Sequence, residues 1–113
     1  MSEYLFLYRG GRQPENPAEG QKVMQAWVAW MKSLTDAGKL KDPGQPLEPQ
    51  GKVVRNASGT VTDGPYAEAK DLVGGFTLVD AQNLDEACKL ASGCPIFDAG
   101  GTIEVRPILN MGM

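Results

Sequence analysis

The chain has 113 residues, 42% of them hydrophobic, with a net charge of −3 and a pI near 4.8. That length fits one domain, residues 1–113, able to bury roughly two-thirds of its unfolded surface. No apolar run reaches the ~18 residues that a bilayer-spanning helix needs, and the eleven basic residues are too scattered to form a nucleic-acid patch.

The opening stretch MSEYLFLYRGGR reads as a first strand, not as a signal peptide. Tyr4, Phe6 and Tyr8 fall on one face of that strand, and Leu5 and Leu7 fall on the other. Apolar residues on both faces predict a strand covered on both sides. Gly10 and Gly11 end it.

Asn16-Pro17-Ala18-Glu19 predicts a helix start. Asn caps, Pro takes the first helical position, and Glu19 reaches back. Val23, Trp27, Trp30, Met31 and Leu34 form one helical stripe for the core, and Gly38 ends the helix. Residues 39–51, with three prolines and two glycines, predict a surface loop. Lys52–Arg55 and Thr60–Thr62 predict a short hairpin around Asn56-Ala57-Ser58-Gly59.

Phe76–Val79 is a second strand with apolar residues on both faces. Asn83 caps a second helix whose expected buried stripe is Leu84, Ala87, Cys88 and Ala91, which makes Cys88 inert and leaves Cys94 free to be exposed. Thr102–Ile108 is the last strand, with Ile103 and Val105 alternating against Glu104 and Arg106.

Strand, long helix, hairpin or strands, strand, helix, strand is the order of an α+β fold. It fits a ferredoxin-like α/β sandwich with an antiparallel sheet. Two helices cover one face of such a sheet. Its central strands are apolar on both faces, so the bare face predicts a homodimer with two sheets packed together. An interface of roughly 800 Å² per partner would cover it.

The run TDGPYAEAK, residues 62–70, is the candidate site. Two readings of Asp63 stand side by side: a carboxylate for acid/base or acceptor chemistry, and a turn residue accepting backbone N–H bonds. Tyr66 offers a ring as a pocket wall. Glu68 and Lys70 share a face if the chain is extended there, as a solvated pair or as partners of a ligand. Arg106 is placed to recognise a carboxylate if Ile103 and Val105 meet the helices.

No histidine and two spaced cysteines, Cys88 and Cys94, provide no ordinary zinc site and no histidine-ligated haem. Phosphate-cradling and dinucleotide motifs are absent. No cofactor is expected, and the cysteine usage suits a reduced, cytoplasmic protein.

Val61-Thr62-Asp63-Gly64-Pro65-Tyr66-Ala67-Glu68, followed by Ala69-Lys70, resembles the signature of the YCII-related superfamily, and within it of the DGPF-domain proteins. Tyr66 stands where that signature has phenylalanine. Leu47-Glu48-Pro49, Gly74-Gly75-Phe76, Asp85-Glu86-Ala87 and Ile103-Glu104-Val105-Arg106-Pro107 extend the resemblance over nearly the whole chain.

The resemblance implies a dimeric α/β-barrel. It leaves the reaction open, because related barrels serve unrelated chemistries. A histidine–aspartate pair associated with the YCII branch has no counterpart in a chain without histidine. The resulting expectation is a small-molecule pocket near residues 63–70, with Asp63 as acid/base candidate and Tyr66, Glu68, Lys70 and Arg106 around it. The alternative is a non-catalytic dimeric interaction or regulatory module.

Overall fold

A computed structural model describes residues 1–65 and 68–112, with only the backbone at Ala69. In chain order it holds β1 (Ser2–Arg9), α1 (Pro17–Asp36), β2 (Leu40–Asp42), β3 (Gly51–Val54), β4 (Val61–Gly64), β5 (Val73–Ala81), α2 (Leu84–Ala91) and β6 (Thr102–Pro107). β2, β5, β1 and β6 form one antiparallel sheet in that order, and β3 and β4 pair separately as a hairpin. The two long apolar strands, β1 and β5, are central, as expected for a ferredoxin-like α+β sandwich.

Both helices start as their sequences dictate. Asn16 Oδ1 accepts the Glu19 N–H and Asn83 Oδ1 accepts the Glu86 N–H, each at 2.8 Å. The glutamates reach back in turn, Glu19 to the N–H of Glu15 and Glu86 to that of Gln82. Gly38, at φ 72°, closes α1. Its N–H bonds the Thr35 carbonyl while Lys39 N–H bonds that of Leu34, which satisfies the carbonyls that every helix end leaves free.

Helices and sheet enclose one core. Tyr4, Phe6 and Tyr8 from β1 meet Val79 and Ala81 from β5, Trp30 and Leu34 from α1, and Ala87 and Ala91 from α2. Phe6 stacks on Trp30 with centroids 6.3 Å apart. Ile103 and Val105 pack on the same side, so Glu104 and Arg106 face away from the helices, as alternation required.

Three expectations need correcting. Residues 39–51 are not loop throughout, because Leu40–Asp42 is the edge strand of the main sheet and Pro46 bridges to Gly75. Three residues are too few to show alternation, and prolines tolerated on an open sheet edge disguise it. In α1 the apolar stripe does not reach the core along its whole length. Trp30 and Leu34 are buried, Trp27 and Met31 half-buried, and Val23 exposed.

The third correction concerns the cysteines. Cys88 is exposed and Cys94 buried, because the packed face of α2 runs through Ala87, Leu90, Ala91 and on to Cys94. Burial pushes the Cys94 thiol up to about 12. A thiol reagent is expected to label Cys88 alone in the native protein, with Cys94 reacting only after denaturation. Mass spectrometry of the labelled chain checks this.

The hairpin stands clear of the sandwich. The radius of gyration is 15.8 Å, against roughly 13 Å for a compact chain of about this length. Val54 and Val61, opposite each other on the hairpin, are both exposed. A two-stranded hairpin is marginal by itself in water.

Candidate functional site on the open sheet face

The face of the sheet away from the helices is built from transverse rows. Phe76, Leu7 and Glu104 lie side by side across β5, β1 and β6, and Leu78, Leu5 and Arg106 form the next row. The four apolar members are half-buried. The apolar centre of this face therefore meets a charged edge along β6.

Arg9, two residues beyond Leu7 on the same face, joins that edge. Its Nη2 lies 2.8 Å from Glu104 Oε1, and its Nη1 donates to the Asp71 carbonyl at 2.6 Å. Arg106 Nη1 reaches Glu104 Oε2 at 3.2 Å. Two guanidinium groups thus share one carboxylate, leaving one positive charge in excess and the outer fork of Arg106 in solvent. Arg9 was not singled out in the sequence, although the period of two places it on the Leu5–Leu7 face.

Hydrogen bonds from Arg9, then from Arg106, hold the Glu104 carboxyl below the usual carboxylate range. A group depressed by folding contributes stability above its unfolded pKa of about 4.3, and that contribution is lost as pH falls through the folded value. The melting temperature of Glu104→Gln is accordingly expected to fall less than that of the wild type between about pH 5 and pH 3. Thermal melts across that range check this.

A small concavity of about 330 Å³ opens beside Arg9. Leu47, Glu48, Pro49 and Gln50 line one side, and Pro65, Leu72 and Val73 the other. Pro65 is where the 62–70 run touches it. Asp63 sits in β4 opposite Lys52, its carboxylate 3.3 Å from Lys52 Nζ and its side chain 98% exposed. Glu68 and Lys70 are also exposed. Tyr66 lies outside the described residues. The structure thus brings Arg9, Glu104, Arg106 and Pro65 to one end of the open face, while Asp63, Glu68 and Lys70 face water.

Residues 4–112 match the YCII-related domain. The chain belongs to the YCII-related family. An uncharacterised protein of Rhizobium meliloti (strain 1021) is 36% identical over 95 residues, covering 80% of this chain and 76% of that relative. Among solved structures, the fold is similar to 5-chloro-2-hydroxyhydroquinone dehydrochlorinase from Burkholderia phenoliruptrix AC1100, seen in complex with 2,5-dihydroxybenzoquinone. The TM-score is 0.50 at 21% identity, with 97% of this chain and 96% of that chain covered. This YCII-related chain shares the fold of that enzyme, and identity at this level says nothing of a shared reaction. Among the described residues, no helix is long and apolar enough to cross a membrane.

Proposed function

We propose that this YCII-related domain works as a homodimer, joined through the open sheet faces, that binds a small acidic metabolite beside residues 63–70. The observation that carries this reading is the face itself: Phe76, Leu7, Leu78 and Leu5 end on the Arg9–Glu104–Arg106 cluster, next to a concavity that Pro65 borders. The helices leave those four side chains uncovered, and a second sheet is the cover of matching shape. Closing the face also dries the Arg edge, which strengthens its hold on a carboxylate.

Cofactor-free acid/base catalysis on Asp63 fits within this reading only if the second subunit encloses it, because in one subunit its carboxylate stands in water beside Lys52. That exposure favours the second reading, a dimeric interaction module in which the 62–70 run has no chemistry. The similar fold of a dehydrochlorinase, seen in complex with 2,5-dihydroxybenzoquinone, supports a small-molecule site without specifying its ligand. The two free cysteines suit a reducing, cytoplasmic setting.

Sedimentation equilibrium, combined with NMR titration of small carboxylic acids, tests the proposal. The wild type should sediment as a dimer, and Leu7→Glu as a monomer. Benzoate and small dicarboxylates should shift amides at Arg9, Val73 and Thr102, with Arg106→Ala weakening the shifts about tenfold, the scale of one charge-assisted hydrogen bond. A wild-type monomer at tens of micromolar would end the dimer reading. Shifts unchanged in Arg106→Ala would end the carboxylate reading.

A further inference from the structure

A cleft larger than the concavity beside Arg9 is on the other side of the sheet. The first half of α1 stands away from the strands and leaves a cleft of about 950 Å³. Trp27, Met31 and Val23 of α1 line it, together with Tyr8 and Gly74–Thr77 of the sheet and Pro43, Gln45, Pro46 and Leu47. Small-molecule sites are typically clefts of roughly 300–1,000 Å³ with apolar and aromatic walls and few polar groups.

The Pro43–Leu47 wall is tied down. Its backbone runs along β5, with Phe76 N–H bonding the Gln45 carbonyl at 3.3 Å and Leu47 N–H bonding that of Gly74 at 2.9 Å. Trp27 meets Tyr8 edge-on at 4.9 Å and Trp30 edge-on at 5.7 Å. It is half-buried, so part of the indole remains uncovered towards the cleft. Cations and anions balance around the cleft, with Arg12 and Lys22 against Glu19 and Asp98, so no net charge is demanded of an occupant.

One polar chain reaches the wall, and chemistry dictates its direction. Thr77 Oγ1 lies 2.9 Å from the Pro43 carbonyl, which can only accept, so the single threonine proton is committed there. Tyr8 Oη, 2.6 Å from Thr77 Oγ1, must then donate to it. Burial, opposed by the Thr77 hydrogen bond, pushes the Tyr8 phenol pKa up, so that proton stays in place. What Tyr8 has left is an oxygen lone pair, an acceptor without a proton to offer.

We propose that this cleft is a separate binding site for a planar aromatic molecule carrying a hydrogen-bond donor, which stacks on Trp27 and donates to Tyr8 Oη. Aromatic shape is selected by the Trp27 and Tyr8 rings, the donor by the committed hydroxyl chain, and low net charge by the balanced surround. The site lies on the helix side of the sheet and is independent of the open-face reading.

The test is NMR titration of the full chain with 2-naphthol, which has the donor, and 2-methoxynaphthalene, which has the same rings without it. 2-Naphthol should shift amides of Gly10–Gln13, Gly44–Gln45, Gly74–Thr77 and the first half of α1. It should bind about fivefold tighter than the methyl ether, the scale of one neutral hydrogen bond. Tyr8→Phe should erase that difference, and Val23→Trp, at an exposed wall position, should abolish binding of both. Shifts confined to the open sheet face, or no binding of either compound, would overturn the site. Equal affinities in the wild type would overturn the assigned donor, whether or not Tyr8→Phe folds.

Discussion

Phe6→Ala is expected to destabilise the protein by about 3–5 kcal/mol, the range for deleting a buried aromatic ring. Phe6 is fully buried on the central strand, stacked on Trp30 and flanked across the sheet by Thr77 and Val105. Removing the ring opens a cavity between three elements that cannot collapse together without tilting α1. Total stability of a domain is about 5–15 kcal/mol, so this one change consumes a large share of it. Urea titration should show a lower midpoint with an unchanged slope. A loss under about 1 kcal/mol would mean that the Phe6–Trp30 contact does not hold α1 on the sheet.

The next residue along the strand provides the contrast that bears on function. Leu7 points to the opposite face and is half-buried. In an isolated subunit its truncation removes less buried surface than loss of Phe6 does. Adjacent residues thus belong to separate devices, one holding the subunit together and the other facing the proposed partner.

This alternation is why much of the fold was legible. Tyr4, Phe6 and Tyr8 against Leu5 and Leu7 marked a central strand, and Asn16, Asn83 and Gly38 marked helix ends through local hydrogen bonds that need no tertiary context. Ile103 and Val105 likewise oriented Glu104 and Arg106. Long-range choices were harder to read. Around α2, the sets Leu84–Ala87–Cys88–Ala91 and Ala87–Leu90–Ala91, continued past the helix end by Cys94, both keep helical spacing, and only packing against the sheet selects the second. Leu40–Asp42 has one apolar residue, so its strand character comes from pairing with β5 rather than from its own pattern. The 62–70 run was legible as a motif, but the exposure of Asp63 depends on a hairpin that stands off the sandwich. The α1 cleft had no linear signature, since it arises where a helix leaves the sheet and a proline-rich segment folds back along β5.

Gly44→Ala tests that folded-back segment and is expected to cost about 2–4 kcal/mol, combining backbone strain with lost hydrogen bonds. Gly44 has φ 73°, a conformation that side chains resist, and a Cβ there would run into the Phe76 carbonyl. Moving the segment away sacrifices the bonds from Phe76 and Leu47 to Gln45 and Gly74, and the Thr77 hydroxyl loses its Pro43 acceptor. Gly74→Ala is the control. No heavy atom outside its chain neighbours lies within 4 Å of the added methyl, and no positive φ opposes it, so stability should change by no more than about 0.5 kcal/mol. Urea unfolding gives the two energies, and amide exchange at Phe76 and Leu47 shows whether the wall has detached. Full protection of those amides in Gly44→Ala would mean that the backbone absorbs the methyl in place. Faster exchange confined to them would show that one glycine allows the Pro43–Leu47 wall to lie against the sheet, and with it forces the Tyr8 proton towards Thr77.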